Sequence, residues 1–178
     1  MVYLFGMRGM TDRQQATDVL LSSAVLQTWG ITPLPAILRL AQGKPVFRDV
    51  PSLHFNLSHS GSFALCALSD APVGVDIEAL RPRKPGSAEH IFSPAEQQWY
   101  RCHGAGPDAL LTLWTRKEAW GKQRGTGLLF PVRTMTPPLP DEAASSAEGA
   151  QVCSYSGPGW VAAVCGKAPF PADITWIA

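Results

Sequence analysis

No two of the four cysteines, Cys66, Cys102, Cys153 and Cys165, stand in C-x-x-C spacing, which argues against a disulfide framework and against zinc. Cys66 and Cys165 sit inside apolar runs, where small core residues belong. A dominant charge is also missing: 15 Lys and Arg against 14 Asp and Glu leave a formal net charge of +1. Nothing therefore draws the whole molecule toward nucleic acid or a membrane, and any anion site must be a local cluster. No apolar run approaches the roughly 18 residues of a membrane span, and no apolar stretch at the N-terminus leads into a small-residue cleavage site. A cytoplasmic, reducing location is the resulting expectation. A Walker loop, a G-x-G-x-x-G turn, a nucleophile triad and a metal-binding histidine cluster are absent as well.

What is present is a chain of 178 residues, 46% hydrophobic and only 16% charged. That composition describes a compact globular protein, and the length suits one domain or two small packed halves. The most informative stretch is Val73-Gly-Val-Asp-Ile-Glu78. As a strand it sets Val73, Val75 and Ile77 on one face and Asp76 and Glu78 on the other. Two carboxylates two residues apart, about 6.5–7 Å along a strand, suit oxygen ligands of one hard cation, directly or through water. A lone Asp-x-Glu is more often a solvated strand face, so its neighbours decide.

The remaining elements follow in order. Val2–Phe5 predicts a strand, and Thr11-x-x-Gln14 a capping box for a helix that ends at Gly30. Pro33 and Pro35 prevent that helix from continuing, and Gly43-Lys-Pro45 predicts a turn. Asn56-Leu-Ser-His-Ser60 has turn composition. Phe63–Leu68 predicts a buried strand, turned back by Asp70-Ala-Pro72 onto the carboxylate strand as its hairpin partner. Arg81–Gly86 is a basic loop. Ser93-Pro-Ala-Glu96 spells a helix start, and Ala109–Arg124 a long helix stopped by Gly125. Pro137–Ala150 predicts a loop, and three strands, 152–155, 160–165 and 174–177, close the chain.

Four local groups carry candidate chemistry. Glu118 and Lys122 lie one turn apart at the margin of an aromatic helix face; such a pair is usually only a surface pair, but beside a cation it supplies a further carboxylate and a phosphate donor. Ser58 and His59 can bind phosphate oxygens, or serve simply as a satisfied turn. Lys44 offers charge where Gly43 lets the backbone approach a ligand. Glu96 already has a capping task.

The order Gly43-Lys-Pro45, Asn56-x-Ser-His-Ser60, Gly74-Val-Asp-Ile-Glu78, Phe92-Ser-x-x-Glu96, Trp114-Thr-x-Lys-Glu118-x-x-x-Lys122 and Gly125-Thr-Gly-Leu128 resembles the Sfp-type 4′-phosphopantetheinyl transferases. Each motif is weak alone; six in this order are specific, and the resemblance runs from about Arg13 to Thr175. It implies an α+β fold of two similar halves related by a pseudo-twofold, here residues 1–70 and 71–178, with coenzyme A in the cleft between them. It further implies a monomeric, cytoplasmic enzyme that moves the phosphopantetheine arm of coenzyme A onto a serine of an apo acyl or peptidyl carrier protein and releases 3′,5′-ADP. By the same resemblance Asp76, Glu78 and Glu118 are magnesium carboxylates and Lys122 the pyrophosphate lysine. Ser58 and His59 match the phosphate contacts, Lys44 and Pro45 the adenylate turn, and Glu96 the acid proposed as general base, a role that a metal-bound water could also fill. The chain reaches its first helix sooner than the longer family members, which leaves Arg13, Arg39 and Lys44 as candidates for the adenosine 3′-phosphate.

With these residues the expected chemistry is phosphoryl transfer by positioning and charge neutralisation. Two rivals use the same cleft: a metal-dependent nucleotide phosphohydrolase, which would transfer to water, and a coenzyme A binding protein without catalysis. Arg81, Arg83 and Lys84 are candidate contacts for an acidic carrier, though a solvated basic loop has the same composition.

Overall fold

The structure is a computed structural model that describes residues 1–81, 87–142 and 149–177. Arg83 and Lys84 of the basic loop lie outside the described residues, as do residues 143–148 of the loop expected after Pro137. The architecture is mixed α+β. Strand β1 (Val2–Arg8) leads into α1 (Arg13–Trp29). The cap of α1 is Asp12, whose carboxylate accepts from the Gln15 amide, and not the expected Thr11. An aspartate gives the first turn both an acceptor and a negative charge, which the positive end of the helix dipole favours. Gly30 ends the helix at φ 66°, a left-handed conformation that suits glycine.

Two three-residue strands, β2 (Ile37–Arg39) and β3 (Pro45–Phe47), flank the Gly43-Lys44 turn as a small antiparallel hairpin. Next come β4 (His54–Ser60) and β5 (Phe63–Ser69). The first sheet has the order β4-β5-β1-β9, in which β9 (Thr175–Ile177) returns from the end of the chain to run parallel to β1. The second sheet is β6-β8-β7, made of β6 (Gly74–Ala79), β7 (Gln151–Gly157) and β8 (Trp160–Gly166).

This topology corrects the hairpin expected between Phe63–Leu68 and the carboxylate strand. Both edges of β5 are occupied, by β1 and by β4, so its backbone groups have no ladder left to offer β6. At its end the Ser69 hydroxyl takes the Ala71 amide, Pro72 has no amide to give, and the chain crosses to the other sheet. There β6 pairs with β8, Gly74 opposite Cys165 and Glu78 opposite Val161. The β-branched face of β6 meets the first sheet: Val73, Val75 and Ile77 pack with Val2, Leu4 and Leu65 in one fully buried core. A second core lies under α1, where Leu20, Leu21, Ala24 and Val25 meet Phe47, Phe55 and Leu68.

Helices α2 (Ser87–Ile91), α3 (Pro94–Cys102) and α4 (Pro107–Arg124) sit between β6 and β7 in sequence. The capping box of α3 forms as expected: Ser93 Oγ takes the Glu96 amide and the Glu96 carboxylate takes the Ser93 amide. Helix α4 ends at Gly125, φ 75°. It lies so close on β6 that a Cβ added to Gly74 would fall 2.1 Å from the Ala119 carbonyl oxygen and 2.4 Å from the Gln123 nitrogen. Glycine at 74 is what lets the helix settle onto the strand. All four cysteines are free thiols. Among the described residues no helix is long and apolar enough to cross a membrane.

Candidate active site

The site is built on a seam between the two sheets. Strands β4 and β6 belong to different sheets, and side chains of β4 reach the β6 backbone where a neighbouring strand would. Asn56 Oδ1 accepts from the Val75 amide at 2.9 Å, and Ser58 Oγ from the Ile77 amide at 3.3 Å. Ser58 Oγ also donates to Asp76 Oδ1 at 2.8 Å, and Ser60 Oγ to Glu78 Oε2 at 2.7 Å. Residues 56, 58 and 60 share one face because a strand alternates its side chains with period two. The segment expected as a turn is therefore a strand. Its Asn and Ser side chains bond across to β6 and not to their own backbone, the habit that gives such residues their turn signature.

Asp76 is the centre of the cluster and only 5% exposed. Lys122, from the last turn of α4, places Nζ 2.7 Å from Asp76 Oδ1, and also lies 3.2 Å from the Val75 carbonyl and 3.3 Å from Ser58 Oγ. The carboxylate's hydrogen bonds fall on Oδ1; Oδ2 is buried and has no partner among the described residues. Burial raises the Asp76 carboxyl above its ordinary pKa, with the Glu78 charge adding and Lys122 and Ser58 opposing. The Glu118 carboxyl is raised by burial first, then by the charges of Asp76 and Glu78, against Lys122. Glu78 also has Arg81 at 3.8 Å.

Asp76 and Glu118, both raised above their ordinary pKa by burial, and the orphaned Asp76 Oδ2 are oxygen donors open to a cation. Among the described residues no three His, Cys, Asp or Glu side chains converge to hold a metal by themselves. That donor set fits magnesium, which takes one or two carboxylates and completes its shell with water and ligand phosphate oxygens.

A cleft of about 530 Å³ opens over the cluster. Of the residues singled out in the sequence, Arg39, Pro45, Ser58, His59, Asp76, Glu118 and Lys122 line it. Gln14, Thr17 and Asp18 of α1 also line it; Gln14 stood in the sequence only as part of the expected capping box, and Thr17 and Asp18 in no motif. Arg13 is the exposed first residue of α1, one position before this wall. Arg39 donates to the Gly43 carbonyl at 3.1 Å, within its own hairpin. Lys44 turns its ammonium away from the cleft, onto the end of α4. Glu78 and Glu96 are not among the lining residues. Glu96 is 2% exposed, with Oε1 2.8 Å from Lys117 Nζ and Oε2 on the Ser93 amide.

Asn56 and Lys117 stand within the motifs, but the residues alone gave neither a role in the site. Lys117 looks like any helix-surface lysine, yet it is fully buried, donating to the Val132 and Met135 carbonyls as well as to Glu96.

Comparison with known proteins bears on this geometry. The family described as the 4′-phosphopantetheinyl transferase superfamily matches residues 72–165, from the start of β6 to β8. The 4′-phosphopantetheinyl transferase ffp of Bacillus subtilis is 33% identical over 171 residues, 90% of this chain and 76% of the relative. The 4′-phosphopantetheinyl transferase Sfp of Bacillus subtilis strain 168 is 34% identical over 145 residues, 76% of this chain. The match spans 65% of Sfp, less than two thirds of its length. The 4′-phosphopantetheinyl transferase AcpT of Salmonella typhi is 37% identical over 157 residues, 84% of this chain and 77% of the relative.

Proposed function

The chain belongs to the 4′-phosphopantetheinyl transferase superfamily, as an enzyme of the Sfp type, and from that premise we propose that it transfers 4′-phosphopantetheine from coenzyme A to a serine of an apo acyl or peptidyl carrier protein. The observation that supports this most is the cleft in which Ser58, His59, Glu118 and Lys122 surround Asp76 with one unpartnered oxygen. On this reading residues 1–70 and 71–178 are the two halves, a single chain supplies the whole site, and the setting is cytoplasmic.

The carrier serine oxygen bonds to the phosphorus that carries the pantetheine arm, and the bond from that phosphorus to the bridging pyrophosphate oxygen breaks. The electron pair leaves with 3′,5′-ADP, and the serine proton passes to a base. Lys122 holds positive charge at the leaving phosphate, and His59, exposed at the cleft wall, donates to a phosphate oxygen. Ser58 fixes Asp76 by donating to Oδ1, which leaves Oδ2 as the oxygen free for a cation. Asp76, with Glu118 and Glu78 beside it, would hold magnesium, which would supply positive charge against the pyrophosphate. Pro45 forms the adenylate side, with Arg39, which lines the cleft, and Arg13, at the start of α1, as the candidates for the 3′-phosphate. Glu96, the base that the family resemblance suggests for the serine proton, is held by Lys117 and the Ser93 amide outside the cleft lining.

The test mixes the protein with apo carrier protein, coenzyme A and magnesium, and measures the mass of the carrier. A phosphopantetheine adduct is expected. Cleavage of coenzyme A to water without an adduct would make the protein a phosphohydrolase, and binding without turnover would make it a coenzyme A binding protein. A panel of carriers, read against variants of the exposed Arg81, identifies the partner.

A further inference from the structure

The Lys44 ammonium is committed to main-chain carbonyls. It donates to the Lys122 carbonyl at 2.7 Å, the Gln123 carbonyl at 3.0 Å and the Val73 carbonyl at 3.4 Å. An ammonium has three hydrogens, and here each has an acceptor. The Lys44 stem lies along the terminating glycine of α4: a Cβ built on Gly125 would stand 3.5 Å from Lys44 Cδ. The next residue, Pro45, lines the cleft, while Lys44 does not.

The last carbonyls of a helix have no partners within it and carry the negative end of its dipole. Around the end of α4 the amides of Gly125, Thr126 and Gly127 turn back onto the Lys122 and Gly121 carbonyls. Lys44 supplies donors from another part of the chain. It joins the β2–β3 hairpin to the turn of α4 that carries Lys122 and to the residue that precedes β6. Partial burial among these carbonyls lowers the ammonium below the ordinary lysine pKa.

We infer that Lys44 is a positioning residue, which fixes the Lys122 ammonium against Asp76 by clamping the C-terminal turn of α4, and that its side chain is not a ligand contact. This rests on the transferase reading for its consequence in turnover, but its structural content stands apart from that reading.

Lys44→Met keeps the stem and removes the donors. Three measurements on the full chain follow: amide hydrogen exchange at 125–127, the dissociation constant for 3′,5′-ADP, and kcat and KM for coenzyme A. Exchange at those amides is expected to quicken by about tenfold or more as the turn loosens. The nucleotide dissociation constant and KM are expected to stay within about twofold, and kcat to fall by about tenfold or more, since an ångström of misplacement is costly in positioning catalysis. Lys44→Arg, which can still donate to carbonyls, is expected to recover part of kcat. Weakened 3′,5′-ADP binding with unchanged exchange would overturn the inference and make Lys44 a ligand contact. Unchanged exchange with unchanged binding would overturn it too, leaving a solvated lysine. If the wild-type protein forms no carrier adduct, the transferase reading fails while the exchange measurement still decides the role of Lys44.

Discussion

Lys117 and Glu96 form an ion pair inside the protein, Nζ 2.8 Å from Oε1, with the lysine side chain fully buried and the carboxylate nearly so. Taking two charges out of water is unfavourable unless each finds full partnership. Here each does: the second Glu96 oxygen caps α3 through the Ser93 amide, and Lys117 also reaches the Val132 and Met135 carbonyls. The pair ties the start of α3 to the middle of α4 and to the 3-10 turn at 132–134.

Glu96→Gln is therefore expected to act on folding before it acts on chemistry. Stranding a buried lysine costs about 3–5 kcal/mol, which in a protein of this size lowers Tm by about 10 °C. Glu96→Gln with Lys117→Met is expected to recover much of that loss, because no uncompensated charge remains. Thermal melts of the two variants check this; a single variant that melts like wild type would show that the pair holds nothing.

Glu118 gives the opposite sign. Its folded pKa is raised above the ordinary 4.5, chiefly by burial and then by Asp76. A carboxyl raised in this way stabilises the fold below its unfolded pKa, and that contribution is lost as pH rises through the folded value. At pH 7, with chelator and no magnesium, Glu118→Gln is expected to melt roughly 1–4 °C above wild type. The difference is expected to vanish near pH 4, where wild-type Glu118 is itself protonated. The same variant is expected to lose carrier modification. Melting curves against pH decide it: a variant less stable than wild type at pH 7 shows that the carboxylate is structural.

His59→Ala removes an exposed side chain from the cleft wall and leaves the Asp76 cluster intact. On the proposed reading the interaction lost is a hydrogen bond to a charged phosphate, so the dissociation constant for coenzyme A is expected to rise about tenfold or more. Calorimetric titration with coenzyme A measures it, and an unchanged affinity removes His59 from the site.

Gly74→Ala tests the close approach of α4 to β6. The new methyl meets backbone, which cannot swing aside as a side chain would, so roughly 1–3 kcal/mol of stability is expected to go. Glu118 and Lys122 ride on the displaced helix, so kcat is expected to fall as well, measured at a temperature where the variant is fully folded. Normal turnover would mean that α4 can shift without disturbing the cluster.

Features written in consecutive residues were legible in the sequence. Ser93 to Glu96 spells its own cap, Gly125 its own stop, and the two faces of Val73–Glu78 follow from alternation alone. The β2–β3 hairpin was not legible, since three residues a side are too few to show a period. The partner of β5 was not legible either: proximity in the chain favoured β6, whereas the edges of β5 are filled by strands from elsewhere. In the site, residue types and order indicated Asp76, Glu118 and Lys122. The burial of Lys117 and the turning of Lys44 onto a helix end depend on what packs above them, which no local pattern records.

The seam between β4 and β6 has a consequence for how the gene can change. A ladder between strands is made of amides and carbonyls that every residue except proline carries, so most codon changes along β1 or β5 leave its bonds standing. The rungs at Asn56, Ser58 and Ser60 belong to side chains. One nucleotide substitution that turns any of the three into an aliphatic residue deletes the bond outright, and the strand it supported is the one that carries Asp76.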